Sequence, residues 1–98
     1  MGIDFLDIRF RLEKRFEVRL DRHSETALLA TFEAASPEER DFTAGALHDW
    51  ICEECRRAGR PVPTSSWTRV KLTLAEVLLI APHEIRRDSR LVRDLGMS

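Results

Sequence analysis

Residues 3–18, IDFLDIRFRLEKRFEV, are the stretch that decides the fold. Apolar side chains recur there every three or four residues, which is the spacing of the faces of an α-helix. Two faces are apolar: one has Phe5, Ile8, Leu12 and Phe16, and the other has Ile3, Leu6 and Phe10. The sequence therefore predicts a helix over 3–18 that packs between neighbours on both sides.

Capping residues predict further helices downstream. Ser24 is suited to cap a helix over 24–35, which contains neither Gly nor Pro. Ser36-Pro37-Glu38-Glu39 has the pattern of a capping box with Pro at the first helical position. A third helical stretch is expected to begin there or at Thr43.

Helix-breaking residues predict where these stretches end. Gly59, followed by two prolines, ends the third stretch, and residues 60–66 are the predicted linker. Ser65 or Ser66 caps a fourth helix over 67–79, which stops before Pro82 and is followed by a loop with one possible helical turn. No segment alternates in the manner of a strand, so the predicted class is all-α. The predicted core is Phe5, Ile8, Leu12, Phe16, Leu47, Trp50, Ile51, Val70, Leu74 and Val77.

Length and charge exclude several protein classes. The chain has 98 residues, enough for one domain, and no apolar run reaches the roughly 18 residues of a membrane span. Residues 1–55 contain 13 acidic and 7 basic side chains, whereas residues 56–98 contain 4 acidic and 9 basic ones. We expect the two halves to attract each other within one fold. A nucleic-acid-binding function is not expected, because the pI is only 6.3.

The N-terminal stretch has none of the features of a targeting signal. Two aspartates precede its first basic residue, and its apolar positions are interrupted by charges. Neither a secretory signal nor a transit peptide is predicted, so the cytoplasm is the expected compartment.

The second half of the chain resembles the first helix and first loop of the acyl carrier protein family. The similar residues are Trp67-Thr68-Arg69-Val70 through Glu76-Val77-Leu78, Ala81-Pro82-His83-Glu84-Ile85, Asp88-Ser89-Arg90-Leu91-Val92 and Asp94-Leu95-Gly96. In that family the helix ends in V-A-E-x-L-G-V, and D-P-E-E-I and D-S-x-L-x-x-D-L-G follow.

The first half resembles the later helices of the same family. Ile3-Asp4, Asp7-Ile8, Leu12-Glu13 and Phe16 are similar to its second helix, D-S-L-D followed by V-E-L-V-x-x-L-E-x-x-F. Residues 43–51, TAGALHDWI, are similar to its last helix, T-V-x-D-L-x-D-W-I.

The resemblance implies a four-helix, acyl-carrier-like bundle in circularly permuted order. Residues 1–59 correspond to helices two to four, residues 60–66 to a new linker, and residues 67–98 to helix one and its loop, all in a single domain. Asp-Leu-Gly runs directly into the second helix in the family, so Gly96 is expected beside the helix that opens near Ile3. Leu91 and Leu95 are expected to supply apolar contacts there.

The same alignment places Gly2 where the family has the serine that carries 4'-phosphopantetheine. Glycine has no hydroxyl and cannot be modified. The resemblance therefore implies a non-catalytic binding or adaptor module without a prosthetic group. The alternative is a functional carrier in fatty-acid or polyketide-type synthesis that is modified at Ser98, the nearest remaining hydroxyl.

The family's second helix also implies a partner surface. It is acidic and docks onto partner enzymes, so a protein partner is expected on the 3–18 helix. Arg9, Arg11, Lys14 and Arg15 make that helix mixed in charge here. The chain is expected to be a monomer, with a dimer that exchanges the 67–79 helix as the alternative.

A metal-binding regulator is a third hypothesis. His48, Cys52 and Cys55 are spaced i, i+4 and i+7 on one helix, with His23 as a possible fourth ligand, and zinc accepts such ligands. Packing of the cysteines as small apolar residues is the competing interpretation. The remaining polar stretches suggest no enzyme: the run from Arg86 to Arg90 is interpreted as a solvated loop, and His83 as a solvent-facing turn residue.

Overall fold

A computed structural model describes residues 3–20 and 43–97. In this part of the chain the fold is all-α and has no strand. The elements are α1 (Ile3–Phe16), α2 (Ala44–Arg57), α3 (Ser66–Leu78) and a 3₁₀ turn (Pro82–Glu84). The helix expected over 24–35 and the start expected at 36–39 lie outside the described residues. None of the described helices is long and apolar enough to cross a membrane.

Helix α1 buries one of its two apolar faces. Phe5, Ile8, Leu12 and Phe16 are at most 4% exposed. Leu6 and Phe10, on the second face, are 52% and 56% exposed, so the prediction of a helix packed on both sides is wrong for these residues. The spacing correctly identified two apolar faces, but the described elements that form the core pack against the first face only. The helix ends at Glu17, which has a left-handed φ of 52°.

Helix α2 begins at the later of the two expected positions. Thr43 is its N-cap, and its Oγ1 accepts a hydrogen bond from Ala46 N at 3.0 Å. At the other end Gly59 has a φ of 71°, which glycine adopts without steric cost, and Arg60 N donates to Cys55 O at 2.9 Å. Gly59 therefore ends this helix as predicted.

Helix α3 packs against both α1 and α2 and lies at the centre of the fold. It starts after Ser65, whose hydroxyl accepts from Arg69 Nε at 3.0 Å and does not cap the helix backbone. It ends at Leu79, which has a left-handed φ of 57° and is 89% exposed. Leucine is an unusual residue there, because its Cβ crowds the backbone in that conformation.

The core contains nine of the ten predicted residues, and Val77 is the partly buried exception. It also contains three residues that the sequence placed in a loop. Ile85, Leu91 and Met97 are at most 5% exposed and belong to the same cluster as Phe5. The stretch from 85 to 97, called the 85–97 segment below, is therefore a packed part of the fold.

Internal hydrogen bonds shape the 85–97 segment. The Asp94 carboxylate accepts from Arg90 N at 2.8 Å, and the side-chain and backbone hydrogen bonds from Arg90 lower the pKa of Asp94. Met97 N donates to Leu91 O at 2.8 Å, across a turn in which Gly96 has a φ of 78°. Buried Ser89 accepts from Arg86 N at 2.9 Å. The expected solvated loop over 86–90 is thus partly internal.

Candidate functional site

The outer side of α1 carries a row of exposed side chains, which we call the α1 stripe: Leu6, Phe10, Lys14 and Glu17. Leu6, Phe10 and Lys14 are four residues apart and follow one face of the helix, and Glu17 lies just beyond its C-terminal end. The Lys14 ammonium lies 4.3 Å from the centre of the Phe10 ring, a cation–π distance. The stripe presents two large apolar side chains with a positive charge beside the second.

The opposite flank of α1 is fixed to α3 through Glu76. Arg11 Nη1 donates to Glu76 Oε2 at 2.8 Å, and Arg15 binds the other carboxylate oxygen. Arg69 of α3 donates to Arg15 O at 2.6 Å, at the C-terminal end of α1. Each of these exposed ion pairs contributes little to stability because solvent screens it, but together these contacts fix how α1 is rotated. They keep the α1 stripe facing outward.

A second group of polar side chains joins α2, α3 and the 85–97 segment. We call it the His48 cluster: His48, Asp49, Ser66, Trp67 and Arg87. The Nδ1 atom of His48 lies 2.7 Å from Arg87 Nη1, and its Nε2 lies 2.8 Å from Ser66 Oγ. Arg87 Nη2 donates to Asp49 Oδ1 at 3.0 Å. The Trp67 ring packs edge-on against His48, with ring centres 5.5 Å apart.

The identity of these partners fixes the protonation of His48. A guanidinium only donates hydrogen bonds, so Nδ1 must accept from Arg87 and carries no proton. The proton of the neutral ring is therefore on Nε2, which donates to Ser66 Oγ. Burial, reinforced by the positive charge of Arg87, lowers the pKa of His48, and Asp49 opposes this shift.

This geometry distinguishes the His48 cluster from a serine-histidine-aspartate triad. In a triad the histidine accepts the serine proton and donates to the aspartate. Here the histidine donates to Ser66, and Asp49 Oδ1 is 3.9 Å from Nδ1, beyond hydrogen-bond distance. The lone pair of the ring is occupied by Arg87, so His48 has no free base with which to activate Ser66.

Backbone hydrogen bonds place Arg87 beside His48. The first amide groups of α2 donate to the segment: Ala44 N to Ser89 O at 2.8 Å, and Gly45 N to Arg87 O at 2.8 Å. Gly45 permits this approach, because a Cβ at that position would lie 2.8 Å from Arg87 O. The free N–H groups of a helix start are thereby satisfied by another segment of the chain.

The three expected metal ligands are not brought together as a metal-binding group. Both ring nitrogens of His48 have partners, while Cys52 and Cys55 are free, buried thiols. Burial raises the pKa of the Cys55 thiol, which disfavours the thiolate that binds zinc. Among the residues that the structure describes, no three His, Cys, Asp or Glu side chains are placed to hold a metal ion. His23 lies outside them.

The two residues of the expected carrier site, Gly2 and Ser98, also lie outside the described residues. The exposed position of His83 agrees with its interpretation as a solvent-facing turn residue. The His48 cluster itself was missed by sequence reasoning. The only local signal was Gly45, a glycine in the first turn of a helix where no cap requires one.

Comparison of the chain with protein-family models, with curated proteins and with solved structures found no match to any of them.

Proposed function

We propose that this chain is an acyl-carrier-like module in permuted order that lacks phosphopantetheine and binds a protein partner through the α1 stripe. The observation that carries the proposal is the exposure of Leu6 and Phe10, at 52% and 56%, on a helix whose other side is fixed to α3. Large apolar side chains held outward on a rigid helix are suited to binding a partner.

The chemistry of the stripe defines the partner surface. Leu6 and Phe10 favour an apolar patch on the partner. Lys14, beside Phe10, favours a carboxylate opposite it, and Glu17 adds a negative charge at the end of the stripe. Electrostatic complementarity of this kind fixes the orientation of a complex more than it adds affinity.

Packing of the 85–97 segment supports the permuted arrangement. Leu91 and Met97 share one core cluster with Phe5 and Ile8, although more than 80 residues separate them in sequence. In a permuted carrier this segment continues directly into the helix that α1 represents. Joining Ser98 to Met1 through a short Gly linker and opening the chain within 60–66 should therefore leave a helical, folded protein. If circular dichroism shows that the rearranged chain is unfolded while the parent is helical, the permutation is refuted.

Intact mass tests whether the chain carries a prosthetic group. After coexpression with a phosphopantetheinyl transferase the parent should keep its unmodified mass, because Gly2 offers no hydroxyl. The Gly2→Ser variant of the rearranged chain should gain one phosphopantetheine and serves as the positive control. A gain by the parent that Ser98→Ala abolishes would establish the functional carrier instead.

Cysteine labelling tests whether the α1 stripe is open to a partner. Phe10→Cys should react with a thiol reagent as fast as Leu79→Cys, a matched control at a residue that is 89% exposed. The native thiols are buried and should react slowly. Slow labelling of Phe10→Cys would mean that the chain itself covers the stripe, and would overturn the docking proposal.

Capture from extracts of the source cells then tests the stripe as a partner surface. A partner that binds the parent should be lost with Leu6→Ser or Phe10→Ser and retained with Leu79→Ser. Equal capture by all variants would place the binding surface elsewhere.

A further inference from the structure

The 85–97 segment is held against α2 by an interaction that exists in only one protonation state. Arg87 Nη1 lies 2.7 Å from His48 Nδ1, so this bond requires a ring nitrogen without a proton. The other nitrogen bonds Ser66 Oγ at 2.8 Å, which fixes the ring orientation. We propose that His48 and Arg87 form a proton-operated latch: neutral His48 holds the 85–97 segment on the start of α2, and protonation at Nδ1 releases it.

Each described element packed against His48 places a group near its ring, and these groups set the balance between the neutral and the protonated ring. On its own helix, Asp49 favours the charged ring; on the segment, Arg87 opposes it. From α3 come the neutral Ser66 hydroxyl and the Trp67 ring, and the ammonium of Lys71 lies 5.8 Å from the centre of that ring. One cation, Arg87, and one carboxylate, Asp49, therefore act directly on a partly buried imidazole.

Protonation would change the partner of Asp49. Its Oδ1 now accepts from Arg87 Nη2 at 3.0 Å and lies 3.9 Å from His48 Nδ1. A proton on Nδ1 repels the guanidinium and attracts this carboxylate, which needs to move by only about 1 Å to accept a hydrogen bond. Arg87 would then lose both of its side-chain partners in α2 at the same time.

Other contacts also hold the 85–97 segment, and we expect them to break after the His48–Arg87 bond is lost. They include the backbone bonds from Ala44 N and Gly45 N, at 2.8 Å each, the contact of the Arg87 guanidinium with the Trp67 ring, 5.5 Å from its centre, and the burial of Ile85, Leu91 and Met97. Once the Arg87 guanidinium has left His48 and Asp49, it no longer helps to hold the Arg87 carbonyl, which accepts from Gly45 N, in place. Release of the 85–97 segment from α2 would expose the apolar core beneath Leu91 while α1 and α3 stay packed.

The direction of the pH effect follows from linkage. Native His48 has a lowered pKa, so below the ordinary pKa of histidine the opened form binds a proton that the closed form excludes. Closure is complete above that ordinary value and weakens as the pH falls towards the native value. For one proton, the ratio of open to closed forms rises up to about tenfold per pH unit in this window.

Amide hydrogen exchange measured by NMR on the full chain tests the latch. Between pH 7.5 and 5, after correction for intrinsic exchange rates, protection at Ala44 and Gly45 should fall by up to tenfold per unit, while Val70 and Leu74 in α3 keep theirs. His48→Gln, whose amide can still accept and donate but cannot be protonated, should make the two reporter amides independent of pH. His83→Gln, a matched change at an exposed histidine, should leave the dependence of the parent intact.

Several results would overturn the latch. The first is amide protection at Ala44 and Gly45 that does not change with pH in the parent, and the second is a pH dependence that survives His48→Gln. The third is a parallel loss of protection in α3, which would indicate global unfolding. Titration of the His48 ring in the parent gives a check that needs no variant: a pKa at or above the ordinary histidine value would refute the proposal. Asp49→Asn, which removes the negative charge that favours the protonated ring, should move the opening to lower pH.

Discussion

Replacing Gly45 by alanine tests the close approach of the 85–97 segment to the start of α2. Inside a helix this change normally stabilises by about 1 kcal/mol, because alanine loses less backbone freedom than glycine. Here the new Cβ would lie 2.8 Å from Arg87 O and 3.3 Å from Arg87 Cβ. The helix and the carbonyl cannot both remain in place at those distances, so we expect the 85–97 segment to move away.

The magnitude follows from the hydrogen bond that this movement breaks. Gly45 N is buried and donates to Arg87 O, and an unpaired buried donor costs about 1–3 kcal/mol. The neighbouring bond from Ala44 N to Ser89 O is strained by the same displacement. Loss of the neighbouring bond, worth about 1 kcal/mol, offsets the gain in helix propensity, so we expect Gly45→Ala to lower the free energy of unfolding by about 1–3 kcal/mol.

Urea denaturation followed by circular dichroism measures this change, and a thermal scan should show a drop of about 4–8 °C per kcal/mol for a domain of this size. Gly59→Ala is the matched control. Its φ of 71° makes alanine unfavourable by about 1 kcal/mol, but nothing lies within 4 Å of the new Cβ. Only Gly45→Ala should reduce amide protection in the 85–97 segment. Equal or higher stability of Gly45→Ala would mean that this segment does not lie against the start of α2.

Three further changes test other parts of the fold. Leu74→Ala, at a fully buried position, should cost about 2–5 kcal/mol in urea denaturation, and an unchanged midpoint would mean that α3 does not pack as described. Leu79→Gly should raise the free energy of unfolding by up to about 1 kcal/mol, since glycine relieves the left-handed backbone at an exposed residue; a loss of stability would contradict that conformation. Deleting four residues within 60–66 should strain the connection between α2 and α3 and favour a dimer that exchanges α3; light scattering that shows an equally stable monomer would count against it.

The parts of the fold that depend on local pattern were predictable from the sequence. The start of α1 at Ile3 and the end of α2 at Gly59 follow from spacing and breaker residues, which act within a few positions, whereas α1 ends at Phe16 and not at 18. The buried face of α1 was identified for the same reason. Spacing alone could not show that Leu6 and Phe10 remain uncovered, because exposure depends on where other elements pack.

The His48 cluster was not predictable in this way. His48 and Arg87 are 39 residues apart, and each looks ordinary in its own segment. The run from Arg86 to Arg90 has the composition of a solvated loop, yet backbone carbonyls within it bind the start of α2. The absence of a side chain at Gly45 permits this close approach. That role of Gly45 can be recognised only when the position of the opposing backbone is known.

The wide separation in sequence between α1 and its main packing partner has a consequence for biosynthesis. About 50 residues lie between the end of α1 and the start of α3, the helix that packs on the apolar face of α1. At about 5–20 residues per second, a ribosome takes roughly 3–10 s to synthesise that interval. During this time a nascent chain exposes Phe5, Ile8 and Leu12 without the helix that covers them in the native state. Chaperones that recognise short apolar stretches have their best opportunity to bind this protein in that interval.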